Sequence, residues 1–156
     1  MYKRQALETA GGIIHALPLL GNQPFLVVNG DIWCDLAFSS LPGLSADTQA
    51  HLVLVNNPEH NPQGDFSLQH GLIKNTDHEK YTYSGIGIFK AAFFAEQAPG
   101  RSPLAPIIRD KCQKDLVSGQ LHGCIWTDVG TIERLDAIER MLQNFFRCNP
   151  GCLSDN

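Results

Sequence analysis

The stretch Phe25-Leu-Val-Val-Asn-Gly-Asp31 constrains this chain most. Four apolar residues in a row, two of them β-branched, form the pattern of a strand covered on both faces, as strands inside a parallel sheet are. The run stops at Asn29-Gly30-Asp31, a turn signal that carries a carboxylate. Open α/β sheets bind ligands beyond the carboxyl ends of their strands, so Asp31 is expected to overhang a crevice from a rigid mount. A carboxylate so placed suits Mg²⁺, which takes oxygen ligands and accompanies phosphates. The competing reading is a turn aspartate that satisfies nearby backbone amides.

The flanking segments fill out an α/β pattern. Thr9 is a candidate N-cap for a short helix that enters through Ala10-Gly11-Gly12 and continues over Ile13–Leu20. Glycines at a helix entrance let a ligand approach the backbone, or serve only helix–sheet packing. His51–Val55 reads as a second buried strand, and Phe66–Ile73 as a hairpin turning at His70-Gly71. Tyr81–Phe89 alternates like a strand but holds Gly85 and Gly87, which mark a bulge or a close approach. Short helices are expected over Phe38–Leu44 and Ala91–Ala98, and a longer one over Leu104–Lys114 with Ile107 and Ile108 inward. Leu121–Trp126 reads as a further strand running into Thr127-Asp128-Val129-Gly130-Thr131, after which a final helix, Glu133–Phe146, begins with an acidic first turn.

The layout at Asp128 repeats that at Asp31: an apolar strand, then Asp and Gly. If both strands lie in one sheet and point the same way, the two carboxylates converge. Their repulsion is then relieved by a divalent cation, the arrangement used in phosphoryl and nucleotidyl transfer. Such chemistry needs no protein nucleophile, but it needs positioning and usually a Lys or Arg to neutralise charge. Lys90 and Lys111 are candidates for that cation, although nothing in their context favours this over a solvated face. The six histidines lack metal-type spacing and read as surface or structural groups.

Composition excludes several classes. A net charge of −4 without a Lys/Arg cluster argues against nucleic acid as a partner. No apolar run spans a bilayer, no signal peptide is visible, and five scattered cysteines fit reduced thiols, so a cytoplasmic protein is expected.

Taken in order, Leu7-Glu8-Thr9-Ala10-Gly11-Gly12-Ile13, Val28-Asn29-Gly30-Asp31, Gly64-Asp65-Phe66, Tyr83-Ser84-Gly85-Ile86 and Trp126-Thr127-Asp128-Val129-Gly130-Thr131 resemble the segments of the sugar-1-phosphate nucleotidyltransferase family. They look most like the branch of bacterial peptidoglycan recycling that acts on N-acetylmuramate α-1-phosphate with UTP. The resemblance runs from about Ala6 to Met141 and implies a partial Rossmann-like (GT-A type) fold: a mixed, mostly parallel sheet with flanking helices, truncated at its N-terminus. It implies that Asp31 and Asp128 bind Mg²⁺. It places Glu8, Thr9, Ala10, Gly11 and Gly12 against the nucleotide base, counts Asn29 among the ligand-binding residues, and sets Gly64, Asp65, Ser84 and Gly85 around the sugar phosphate. The implied partners are a nucleoside triphosphate and a sugar 1-phosphate. The family's opening Gly-rich loop ending in Arg and its Pro-Lys-Pro segment do not occur in this sequence. Residues 1–5 are accordingly expected to be unrelated sequence, 6–147 the domain and 148–156 a disordered tail, with weak or no turnover and a marginal, aggregation-prone monomer. The alternatives are a mannose- or glucose-1-phosphate nucleotidyltransferase and a non-catalytic sugar-phosphate-binding module.

Overall fold

In a computed structural model, residues 7–76, 78–123 and 125–148 are described; of the tail expected at 148–156, Cys148 ends the last helix and 149–156 lies outside the described residues. The elements run α1 (Glu8–Leu20), β1 (Phe25–Val28), β2 (Ile32–Cys34), β3 (Ala50–Val55), β4 (Phe66–Gln69), β5 (Leu72–Lys74), β6 (Lys80–Phe89), α2 (Leu104–Gln113), β7 (Val117–His122), β8 (Trp126–Asp128) and α3 (Ile132–Cys148). Short 3-10 turns at Phe38–Ser40 and Ala91–Phe94 stand where two of the helices were expected.

Six strands form one sheet in the order β1-β6-β3-β7-β5-β4, and β4 also meets the start of β6. The architecture is the expected mixed α/β sheet, but parallel pairs do not predominate. β3 and β7 are parallel, and the other described pairings are antiparallel. Connection length accounts for two of these pairs. β4 and β5 are joined by His70-Gly71, both at positive φ, a tight hairpin turn that enforces antiparallel pairing. A parallel pair needs a long crossover, and the β3-to-β7 excursion, which contains α2, supplies it.

β3 is the central strand. Its six residues are all buried between β6 and β7, as its unbroken apolar run requires. Ala50, Leu52 and Leu54 face a core closed by Ala10 and Ile13 of α1, by Phe89, Phe93 and Phe94, and by Leu104, Ile107 and Ile108 of α2. The aromatic rings meet at 5.2 Å for Phe89–Phe93 and 4.9 Å for Phe93–Phe94, both edge-on, the geometry their quadrupoles favour.

β1 departs from expectation. It pairs with β6 alone among the described residues, so it is an edge strand. Phe25 and Val27 pack on the core while Leu26 and Val28 are 41% and 40% exposed. The four-residue apolar run signalled cover on both faces, but the helices cover only one.

The start of α1 also differs. The helix begins at Glu8, at φ +58°, so Thr9-Ala10-Gly11-Gly12 is its first turn, and Thr9 is not its cap. A neighbouring loop replaces the capping side chain: Ser102 N donates to Leu7 O at 3.0 Å and Gly11 N donates to Ser102 O at 3.1 Å.

Candidate active site

The strand expected over Leu121–Trp126 is divided: β7 ends at His122 and β8 begins at Trp126. β8 leaves the sheet and pairs with β2 as a separate antiparallel ribbon. This ribbon, rather than two strands of one sheet pointing the same way, joins the two aspartates. Asp31 sits in the turn between β1 and β2, Asp128 is paired with Ile32, and Val129 N donates to Asp31 O at 2.7 Å. The Oδ2 atoms of Asp31 and Asp128 face one small space. A Cβ built on Gly130 would stand 3.7 and 4.0 Å from them. The ribbon is held against the sheet by Trp126, whose indole N–H donates to Ser84 O at 2.9 Å, and by His122 with Asp35 at 2.7 Å.

Asn29, Asp31, Tyr83, Ser84, Gly85 and Asp128 line the cleft so formed. Gly85 is required there: its φ is +80°, and a Cβ would lie 2.8 Å from the Asn29 amide nitrogen. The missing side chain lets Asn29 lie against β6, where its backbone N–H donates to Gly85 O at 2.9 Å. Tyr83 and Asn29 also line an adjoining cleft with Glu8, Thr9 and Leu104, so the α1 entrance and the aspartate pair share a wall. Burial pushes the Tyr83 phenol well above its ordinary range, so it remains a proton donor, and its hydroxyl has no partner among the described residues.

The other expected residues are placed differently. Ala10 is fully buried in the core, and Gly11 packs on the Gly100 carbonyl, where a Cβ would be 2.1 Å from the oxygen. Gly12 faces open space. Asp65 braces the wall from behind, accepting from Tyr83 N at 2.9 Å and from Asn61 Nδ2 at 3.3 Å. Gly64, at φ +62°, fits under Asn57 and Lys80. Neither of them is among the residues that line the cleft. Glu8 is engaged by Arg101 at 2.6 Å.

Lys90 and Lys111 are not at the site. Lys90 donates to the Ser45 and Thr48 carbonyls, each at 2.7 Å, and the buried Lys111 pairs with Glu96 at 3.2 Å. Two groups that the sequence did not single out stand there instead. Arg134 Nη1 lies 2.8 Å from Asp128 Oδ1, close enough for an ion pair but without the alignment of a hydrogen bond. His60 Nε2 lies 3.6 Å from Asp128 Oδ2. His60 carried no spacing signal. Arg134 carried a faint one, a cation in the first turn of a helix, where the macrodipole disfavours it.

The donor set fits a hard cation. Two carboxylates share one space, Asp128 Oδ1 is buried without a hydrogen bond, and no third acidic, His or Cys ligand joins them in a metal-type group among the described residues. A site with two carboxylates suits Mg²⁺, which completes its shell with water and phosphate oxygens.

With this geometry in view, the similarities to known proteins are informative. The chain is 47% identical over 137 residues to an N-acetylmuramate alpha-1-phosphate uridylyltransferase of Neisseria meningitidis serogroup B, a match covering 83% of this chain and 59% of that protein. It is 30% identical over 151 residues to the enzyme of the same name from Caulobacter vibrioides, covering 88% and 62%. The chain is related to the sugar-1-phosphate nucleotidyltransferases. It spans about three-fifths of the length of these curated relatives. No family model matches. Solved structures agree at the level of fold. The inositol-1-phosphate CTP transferase from T. maritima superposes with a TM-score of 0.68 at 14% identity, over 92% of this chain and 64% of that one. A UDP-glucose pyrophosphorylase complexed with UDP-glucose superposes with a TM-score of 0.62 at 14% identity, over 92% and 65%. The sheet, helices and ribbon described above are thus a large part of the nucleotidyltransferase fold. Among the described residues no helix is long and apolar enough to cross a membrane.

Proposed function

We propose that this chain carries the metal-binding and sugar-phosphate-binding part of a bacterial, cytoplasmic uridylyltransferase of peptidoglycan recycling. That enzyme transfers UMP from UTP to N-acetylmuramate 1-phosphate and releases pyrophosphate. The observation that carries the reading is the convergence of Asp31 and Asp128 across the β2–β8 ribbon. The names of the two curated relatives support the choice of sugar and base. Asp31 and Asp128 hold Mg²⁺, whose charge offsets that of the phosphates during transfer.

The chain's own residues do the positioning. Glu8, Thr9 and Asn29 bound the nucleotide side. Ser84 and Gly85 bound the sugar-phosphate side, and Tyr83 stands in the wall that the two share. A phosphate oxygen of the sugar attacks the α-phosphorus as the bond to pyrophosphate breaks, so no protein nucleophile is needed. Gly64 and Asp65 act by fixing the strand under Tyr83.

The test is pyrophosphate release from UTP, Mg²⁺ and N-acetylmuramate 1-phosphate, comparing this chain with a version that carries a homologous leading strand and Gly-rich loop. We expect turnover in the longer version, lost on Asp31→Ala or Asp128→Ala. Turnover that survives both substitutions refutes the metal assignment. A second reading is a sugar-phosphate-binding module without turnover. Tight binding of the sugar phosphate with no turnover in either version would establish it. Turnover with mannose or glucose 1-phosphate in preference would move the assignment to that branch.

A further inference from the structure

Arg134 lies in the first turn of α3, beside the positive end of the helix dipole. Helix stability does not explain a guanidinium there. Its Nη1 faces Asp128 Oδ1 at 2.8 Å and the ring nitrogens of His60 at 3.1 and 3.2 Å. Its Nε is buried and unpartnered. Its Nη2 points toward Gly130, 3.2 Å from where a Cβ would stand, and that same point is 3.7 and 4.0 Å from the Oδ2 atoms of Asp31 and Asp128. One edge of the guanidinium is therefore spent on Asp128, while Nη2 borders the space between the carboxylates. A side chain at position 130 would fill that space, and Gly130 leaves it open. Other cations of the chain are committed elsewhere: Arg101 to Glu8, Lys74 to Asp115, Lys111 to Glu96 and Lys114 to Asp110.

We propose that Arg134 is a phosphate ligand of this site, donating through Nη2 to a phosphoryl oxygen of the bound substrate. The inference rests on the nucleotidyltransferase reading above and supplies, from within this chain, the charge-neutralising cation that Lys90 and Lys111 do not provide. Phosphate suits the donor because a planar guanidinium with unspent N–H groups matches its oxygens, and the buried, unpartnered Nε of the same group shows that its bonding is incomplete within the chain. The phosphate belongs to either the sugar 1-phosphate or the nucleotide, and the experiment separates them.

The whole chain and its Arg134→Gln and Arg134→Lys variants are titrated with Mn²⁺ alone, followed by electron paramagnetic resonance. Calorimetric titrations with Mg²⁺ present then use N-acetylmuramate 1-phosphate, UTP and unphosphorylated N-acetylmuramate. We expect Arg134→Gln to weaken one or both phosphate ligands by about tenfold or more, the loss of a charge-assisted bond. Lys should recover part of the loss, and the affinities for Mn²⁺ and for the unphosphorylated sugar should be held. Weakening confined to the sugar phosphate assigns Arg134 to that substrate, and weakening confined to UTP assigns it to the nucleotide. Unchanged affinity for both overturns the proposal. So does a parallel loss of Mn²⁺, which would make Arg134 a positioning residue for Asp128. If thermal melting shows Arg134→Gln unfolded, Arg134→Lys decides, since wild-type affinity for both phosphates in that variant overturns the proposal. A wild-type chain that binds Mn²⁺ and neither phosphate refutes Arg134 alone, whereas one that binds no Mn²⁺ refutes the metal reading beneath it.

Discussion

Adjacent glycines in α1 should respond to alanine with opposite signs. In an ordinary helix Gly→Ala stabilises by roughly 0.5–1 kcal/mol, because it removes backbone freedom from the unfolded chain. At Gly12 nothing lies within 4 Å of the added methyl, so this gain should be realised. At Gly11 the methyl would stand 2.1 Å from the Gly100 carbonyl oxygen and 3.2 Å from Ser102 N. Carbon and oxygen do not approach closer than about 3 Å, so α1 and the loop must separate by nearly an ångström. That separation stretches the Gly11 N–Ser102 O and Ser102 N–Leu7 O bonds at 3.1 and 3.0 Å, each worth about 1 kcal/mol net. Overpacking adds about 1–3 kcal/mol. Set against the propensity gain, Gly11→Ala should destabilise by about 2 kcal/mol. With a urea m-value of about 2 kcal/mol/M, the two variants should unfold at midpoints roughly 1.5 M apart, on either side of wild type. Midpoints that move together, or a Gly11→Ala midpoint within about 0.2 M of wild type, would refute the reasoning.

Three further outcomes are expected. Gly85→Ala forces a left-handed conformation that costs about 1–2 kcal/mol and drives a methyl into Asn29, so both thermal stability and nucleotide affinity should fall, the first by calorimetry and the second by titration. Phe93→Ala removes a fully buried ring from the aromatic cluster and should cost about 3–5 kcal/mol, lowering the melting midpoint by roughly 10 °C. Burial lowers the pKa of His51 below its ordinary 6.5, although a hydrogen bond from its ring to Gln120 partly opposes this. Below about pH 6.5 the unfolded chain therefore takes up a proton that the folded one refuses, and stability falls with pH until the folded group titrates. His51→Gln should flatten that acid slope in denaturation series.

The legible parts of this fold were those whose signal is local. The run in β3, the His70-Gly71 hairpin and the inward Ile107 and Ile108 of α2 follow from residue pattern alone, because period and turn chemistry are properties of a few neighbours. β1 was misread because four apolar residues say how much cover a strand would accept, and only tertiary packing decides how much it receives. Thr9 had the chemistry of a cap, but the Ser102 backbone reached the helix end first. The two aspartates stand together by a route the sequence does not encode. Trp126–Asp128 is short, and whether it extends β7 or pairs with β2 depends on partners more than 90 residues away in the chain. Arg134 and His60 escaped notice for the same reason, since what assigns them to the site is their proximity to Asp128.

The β2–β8 ribbon has a consequence for motion. The backbone that carries the two carboxylates is tied across one rung, by the Ile32–Asp128 pair and the Val129 N–Asp31 O bond, with no hinge between them. The spacing of the carboxylates thus depends on the ribbon, and fraying of its three residue pairs would pull them apart at once. Exchange of the Val129 amide with solvent and the capacity to hold a cation would then be two views of a single local equilibrium.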